Sequence, residues 1–145
     1  MMNDIIRFVT GWTNRDSQEY TAARRELIAE GDEAIHYLSE MMLEADEGQA
    51  WRAARLLSGI DNPGVVLAFK QALKSRHVLV RQLVIQALGE SGDTEAVFLL
   101  LDQMNHEVGI VQMSVIDALG HLGDRGVIEP LLKFFRSREM QTGRR

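Results

Sequence analysis

Val80-Arg81-Gln82-Leu83-Val84-Ile85-Gln86-Ala87-Leu88-Gly89-Glu90-Ser91-Gly92-Asp93 returns 31 residues later as Val111 to Asp124, with Gln112 where the arginine stood. Over residues 80–104 and 111–135, ten of 25 positions are identical. The same step organises the chain to either side. Ile35, Val66, Val97 and Ile128 form one column, and Leu38, Phe69, Leu100 and Leu131 a second. Ala34, Val65, Ala96 and Val127 form a third, and Met42, Leu73, Met104 and Phe135 a fourth. A unit of about 30 residues holds two short helices, too few to bury an apolar face alone, so its stability has to come from stacking on neighbours. The period therefore predicts an all-α solenoid, a superhelix of about four helical hairpins.

Apolar residues at three- and four-residue spacing place the helices, and turn residues separate them. The expected pairs are Ser17–Glu30 with Asp32–Ala45, Gln49–Ser58 with Asn62–Lys74, His77–Glu90 with Asp93–Met104, and Glu107–Leu122 with Asp124–Arg136. Repeats thus cover about 17–45, 49–74, 77–104 and 107–136, forming one domain over 1–136 with a frayed tail at 137–145. A short helix around Asp4 to Trp12 is expected to cap the first repeat with Ile5, Phe8, Val9 and Trp12. Gly89-Glu90-Ser91-Gly92-Asp93 and Gly120-His121-Leu122-Gly123-Asp124 read as helix ends where glycine takes positive φ. Asp93 and Asp124 then cap the next helix. In the second repeat Asp61-Asn62-Pro63 serves the same turn, with proline near the first helical position. Pro130 falls further inside its helix, which predicts a late start or a mild bend.

Val80 to Asp93, with its Val-Arg, Ala-Leu-Gly and Gly-Asp steps, resembles the HEAT-like repeats first described in phycobilisome bilin lyases. The likeness extends over roughly 17–136 and weakens toward the N-terminus, where Gly31-Asp32 carries the aspartate one place late and Ser58-Gly59-Ile60-Asp61 lacks the Gly-Asp step. The resemblance implies a HEAT-like solenoid. About function it implies little, since the type spans lyase subunits and scaffolds.

Composition narrows the chemistry. Without cysteine the chain has no disulfide, no Cys-based zinc site and no thiol nucleophile, which suits a cytoplasmic location. The start Met1-Met2-Asn3-Asp4 has no basic segment followed by an apolar one, and the longest apolar run, Ala96 to Leu101, is far below the ~20 residues of a membrane span. Neither export nor membrane contact is expected. Residues 1–48 carry eleven acidic and four basic side chains, whereas 49–145 carry ten acidic and twelve basic, so the two ends differ in sign.

The residues that stand out have structural explanations. Arg81 is expected to bond to neighbouring turns, and Trp12 and Trp51 to pack. His36, His77, His106 and His121 do not recur at the 31-residue step, and no two of them have the i,i+4 spacing of a helical metal site. His106-Glu107 resembles the His-Glu dipeptides with which deoxyhypusine hydroxylase, another HEAT-like protein, holds two irons. Stepping back by 31, however, meets Ser75-Arg76 and Glu44-Ala45, so most of that ligand set is missing. No catalytic group, cofactor or metal is assigned.

In HEAT-like repeats the second helix of each pair lines the concave side. Its outward rungs here are Glu40, Gln71, Asp102, Lys133; then His36, Leu67, Phe98, Glu129; then Tyr37, Ala68, Leu99, Pro130. HEAT-like alkylpurine glycosylases grip DNA with a concave basic groove, but this surface is acidic at one end and apolar in the middle, which excludes nucleic acid. The expected binding residues are Tyr37, Glu40, Leu67, Gln71, Phe98, Leu99 and Asp102, flanked by Glu33 and Glu44. They suit a basic, amphipathic protein segment or peptide. The expected function is thus a non-enzymatic interaction or scaffold module, with an accessory subunit related to bilin lyases as the alternative. The chain is expected to be a monomer, or a weak homodimer through the repeat ends.

Overall fold

The computed structural model describes residues 2–11, 16–93, 95–123 and 128–142. Its helices are α1 (Asn3–Thr10), α2 (Asp16–Glu30), α3 (Asp32–Glu44), α4 (Glu47–Leu57), α5 (Pro63–Ala72), α6 (Val78–Glu90), α7 (Ala96–His106), α8 (Gly109–Leu122) and α9 (Ile128–Thr142). Each helix after α1 falls within a few residues of its expected place. α9 passes the expected end at 136 and continues to Thr142, and Pro130 sits in its first turn, where a missing N–H breaks no intrahelical bond. The chain beyond 142, the proposed cap Asp124 and Trp12 lie outside the described residues.

Short polar side chains set the helix starts by satisfying amide groups that have no partner within the helix. Asp46 accepts the Gln49 N–H at 3.0 Å to begin α4. Asn62 accepts the Gly64 N–H at 2.7 Å ahead of Pro63 in α5. Asp93 accepts the Glu95 N–H at 3.0 Å just before α7. The two glycines of the best-matching motif divide their work: Gly92 turns the chain with φ +74°, whereas Gly89 lies within α6 and is buried.

Gly89 brings α6 and α8 together. A methyl group there would stand 2.7 Å from both Cα and Cβ of Ala118, so only glycine permits this approach. The helices stack in two rows, with α3 and α5 side by side in one and α4, α6 and α8 in the other, and with α3 on α4, α5 on α6 and α7 on α8. Between the rows lie the repeat columns. Ala34, Val65 and Ala96, then Leu38, Phe69 and Leu100, then Met42, Leu73 and Met104 are all buried. Each large side chain among them contributes about 1.5–3 kcal/mol by leaving water. In the fourth repeat Ile128 is exposed and Phe135 is 46% exposed, while Val127 and the Leu131 side chain lie outside what the structure describes.

Polar clips join successive repeats. Arg81 donates to the Glu107 carboxylate at 2.7 Å and to the Ser75 carbonyl at 2.8 Å, and Gln103 donates to the same carboxylate at 2.7 Å. Arg24 reaches from α2 to the Ser58 carbonyl at 2.9 Å. At the N-terminal end Ile5, Phe8 and Val9 of α1 are buried. The Glu26 carboxylate of α2 accepts the N–H groups of Asp4 and Ile5 at 3.1 and 3.2 Å, placing negative charge at the positive end of the α1 dipole. Phe8 meets Tyr20 edge-on at 5.7 Å, Arg55 covers Tyr20 at 4.5 Å, and half-buried Trp51 packs against the core.

Candidate interaction face

The outward faces of α3, α5 and α7 form the candidate site. On α5 the core takes Val65, Ala68, Phe69 and Ala72, leaving Gly64, Leu67 and Gln71 as the outward stripe at three- and four-residue spacing. Ala68 is therefore buried, in contrast to its expected outward position, because it lies one residue past the stripe and points between Val65 and Ala72.

On α7, Ala96, Val97, Leu100 and Met104 turn inward, and Phe98, Leu99 and Asp102 turn outward. Phe98 is 75% exposed, Leu67 58% and Leu99 39%. Exposure of that degree for a phenylalanine and two leucines on one row leaves apolar surface that folding itself does not use. Tyr37 on α3 is half-buried and packs against the core edge. Gln71 is exposed on α5, one turn beyond Leu67.

Acidic groups border the strip. Glu33, Glu40 and Glu44 on α3 and Asp102 on α7 are exposed. The Glu40 carboxylate lies 3.2 Å from His36 Nε2, and Asp102 lies 3.7 Å from His106 Nε2. Leu43, also exposed, adds apolar surface beside Glu40 and Glu44.

Two features of this region escaped the sequence reading. Lys70 of α5 bonds Asp93 at 2.9 Å and Glu95 at 3.3 Å, tying α5 to the start of α7. The bond from Asp93 raises the Lys70 pKa above its ordinary value, and the bond from Lys70 lowers that of Asp93. Its charge is thereby matched within the fold. At the other end of α7, Gln103 donates to the Leu73 carbonyl at 3.1 Å. These bonds set the distance between the outward stripes of α5 and α7.

The His106-Glu107 pair divides across the surface. His106 is exposed, whereas the Glu107 carboxylate is buried on Arg81, so the two side chains do not converge on one point. No group of three or more His, Asp or Glu side chains suited to a metal ion occurs among the described residues. Nor, among them, is any helix long and apolar enough to cross a membrane. The face's exposed apolar side chains, with carboxylates on the same helices, are surface suited to non-covalent contact.

Residues 35–109 and 66–144 each match the HEAT-repeat family, and each match spans more than half of the chain. HEAT repeats commonly mediate contacts between proteins. No curated protein matches this chain. Its 31-residue period, its stacked helical rows and these two matches together place the chain among the HEAT-repeat proteins.

Proposed function

We propose that the chain is a non-enzymatic binding module of the cytoplasm whose α3–α5–α7 face, the inner side of the solenoid, receives a basic amphipathic helix or peptide. The exposure of Phe98 and Leu99 on α7 and of Leu67 on α5, two helices tied by Lys70 and Gln103, carries this reading. An amphipathic helix lays apolar side chains at i, i+3, i+4 and i+7 into such a strip. Its lysines and arginines then meet Glu33, Glu40, Glu44 and Asp102, while Tyr37 and Gln71 border the contact. Charge of this sign speeds encounter with a cationic segment and repels nucleic-acid phosphates.

The test uses a fluorescently labelled helical peptide of alternating lysine and leucine faces, with a glutamate-for-lysine version as control. Wild type is expected to bind the basic peptide only. Phe98→Ser and Leu67→Ser remove apolar surface without adding charge. Each should shift unfolding by no more than about 0.5 kcal/mol, as exposed positions do, and weaken peptide binding at least tenfold. Equal binding of the two peptides, or unchanged binding by both variants, would refute the proposal. The resemblance of Val80–Asp93 to bilin-lyase repeats supplies the enzyme-class alternative. Coexpression with a phycobiliprotein and bilin tests it, and a coloured covalent adduct would replace the scaffold reading.

A further inference from the structure

We infer that the α8–α9 end of this chain docks the α2 end of a second copy, head to tail, by repeating the packing of α8 on α6. The inference does not depend on what the α3–α5–α7 face binds. It starts from the 31-residue step. α8 repeats α6 position by position: Gln82, Ile85 and Gly89 become Met113, Ile116 and Gly120. On α6 this face is covered. Ile85 is fully buried, Gln82 donates to Ser114 at 3.4 Å, and Ala118 lies against Gly89. On α8 the same face is open. Met113 is exposed, Ile116 is only partly buried, and a methyl group added to Gly120 meets nothing within 4 Å. What fits there is a helix laid along α8 as α8 lies along α6.

α2 presents the matching face. Three steps of 31 back from Ser114 and Ala118, the α8 residues that touch α6, lie Thr21 and Arg25. Both are exposed, as are Gln18 and Ile28, the last at 71%. Together with half-buried Ala22 they form an i, i+3, i+4, i+7 stripe on the side of α2 away from buried Ala23 and Leu27. The two ends of the molecule thus hold the two halves of one helix–helix contact. Arg25 of the second copy replaces the alanine, and the open Gly120 leaves room for its stem while exposed Asp117, one turn earlier, offers a carboxylate.

Charge supports the same register. When α2 of the second copy extends one row, its α3 extends the other and lies beside α9. The column Glu40, Gln71, Asp102, Lys133 then places the second copy's Glu40 next to exposed Lys133, with exposed Arg136 nearby. A contact between unlike ends leaves one of each free, so association continues beyond the dimer.

Sedimentation velocity on the full chain over a wide concentration range tests this. Wild-type mass should climb with concentration past that of a dimer, and less so at high salt. Gly120→Trp or Met113→Glu at one end, and Arg25→Glu at the other, should each leave a folded monomer, as judged by circular dichroism. Mixing an Arg25→Glu chain with a Gly120→Trp chain, or with Met113→Glu should the tryptophan variant not fold, brings one intact end from each and should give a dimer that grows no further. A wild type that stays monomeric at the highest concentration overturns the inference. So does an Arg25→Glu chain that associates like wild type, since that shows contact between like ends, and so does a mixture that stays monomeric.

Discussion

α6 and α8 share a motif and a fold position, yet one is an interior helix and the other an end. Gly89 and Gly120 make the contrast concrete. The first admits Ala118 to a distance no other residue allows, and the second faces open space. Identical residues at equivalent positions therefore carry opposite energetic consequences, because in a stack each helix is completed by its neighbour rather than by itself.

The largest effect separating the two repeats should come from their polar clips. Arg81 holds the buried Glu107 carboxylate, whereas Gln112, its equivalent one step on, donates to the Met104 carbonyl at 3.1 Å. Arg81→Ala leaves a buried carboxylate that keeps, among the described residues, the Gln103 amide, and should cost about 3 kcal/mol in urea unfolding. Gln112→Ala removes an uncharged bond and should cost about 1 kcal/mol. Equal losses would mean that the two boundaries are built alike.

The glycines should differ in sign. Gly89→Ala forces α6 and α8 apart and should lose about 1–3 kcal/mol. Gly120→Ala meets no neighbour and should gain about 0.5–1 kcal/mol from reduced freedom of the unfolded chain. Destabilisation by both would show that Gly120 is covered.

The smallest effect concerns pH. Lys70 clips Asp93 at the second boundary, while Leu101 stands at the equivalent place in the next repeat. Asp93 has a lowered pKa, so its contribution is present above the ordinary value of 3.8 and fades as pH falls through the lower folded value. Lys70 has a raised pKa, so its contribution is full below 10.5 and is lost as pH rises through the higher folded value. Between those limits the pair should be constant. Lys70→Met should flatten the acid limb of the stability curve slightly, by well under 1 kcal/mol for so accessible a pair. An unchanged acid limb would assign the depression of Asp93 to its backbone contact instead.

Much of this architecture is legible in the sequence. The columns through Leu38, Phe69 and Leu100 and through Met42, Leu73 and Met104 are buried as their period implies, since identical spacing in a stack means identical surroundings. Asn62-Pro63 and Asp93 act locally, within two residues, and are readable for that reason. Gly89 was not readable as a contact, because a glycine near a helix end looks the same whether it turns the chain or admits another backbone. Ala68 shows the limit of helical phase. One residue is about 100° of rotation, enough to move a side chain from stripe to core. The Lys70–Asp93 and Arg81–Glu107 clips join residues 23 and 26 apart, a separation that does not follow the repeat and leaves no mark on its period.

Glu26 gives the molecule a direction. By holding the first amides of α1 it fastens three buried side chains, Ile5, Phe8 and Val9, against α2, whereas on α9 Ile128, Leu132 and Phe135 are each more than a third exposed. In a stack held only by adjacent layers, a latched terminus facing one whose described side chains stand partly open makes opening start at the second. The protein should come apart like a zipper with one sewn end, from α9 inward, with α1 and α2 among the last layers to let go.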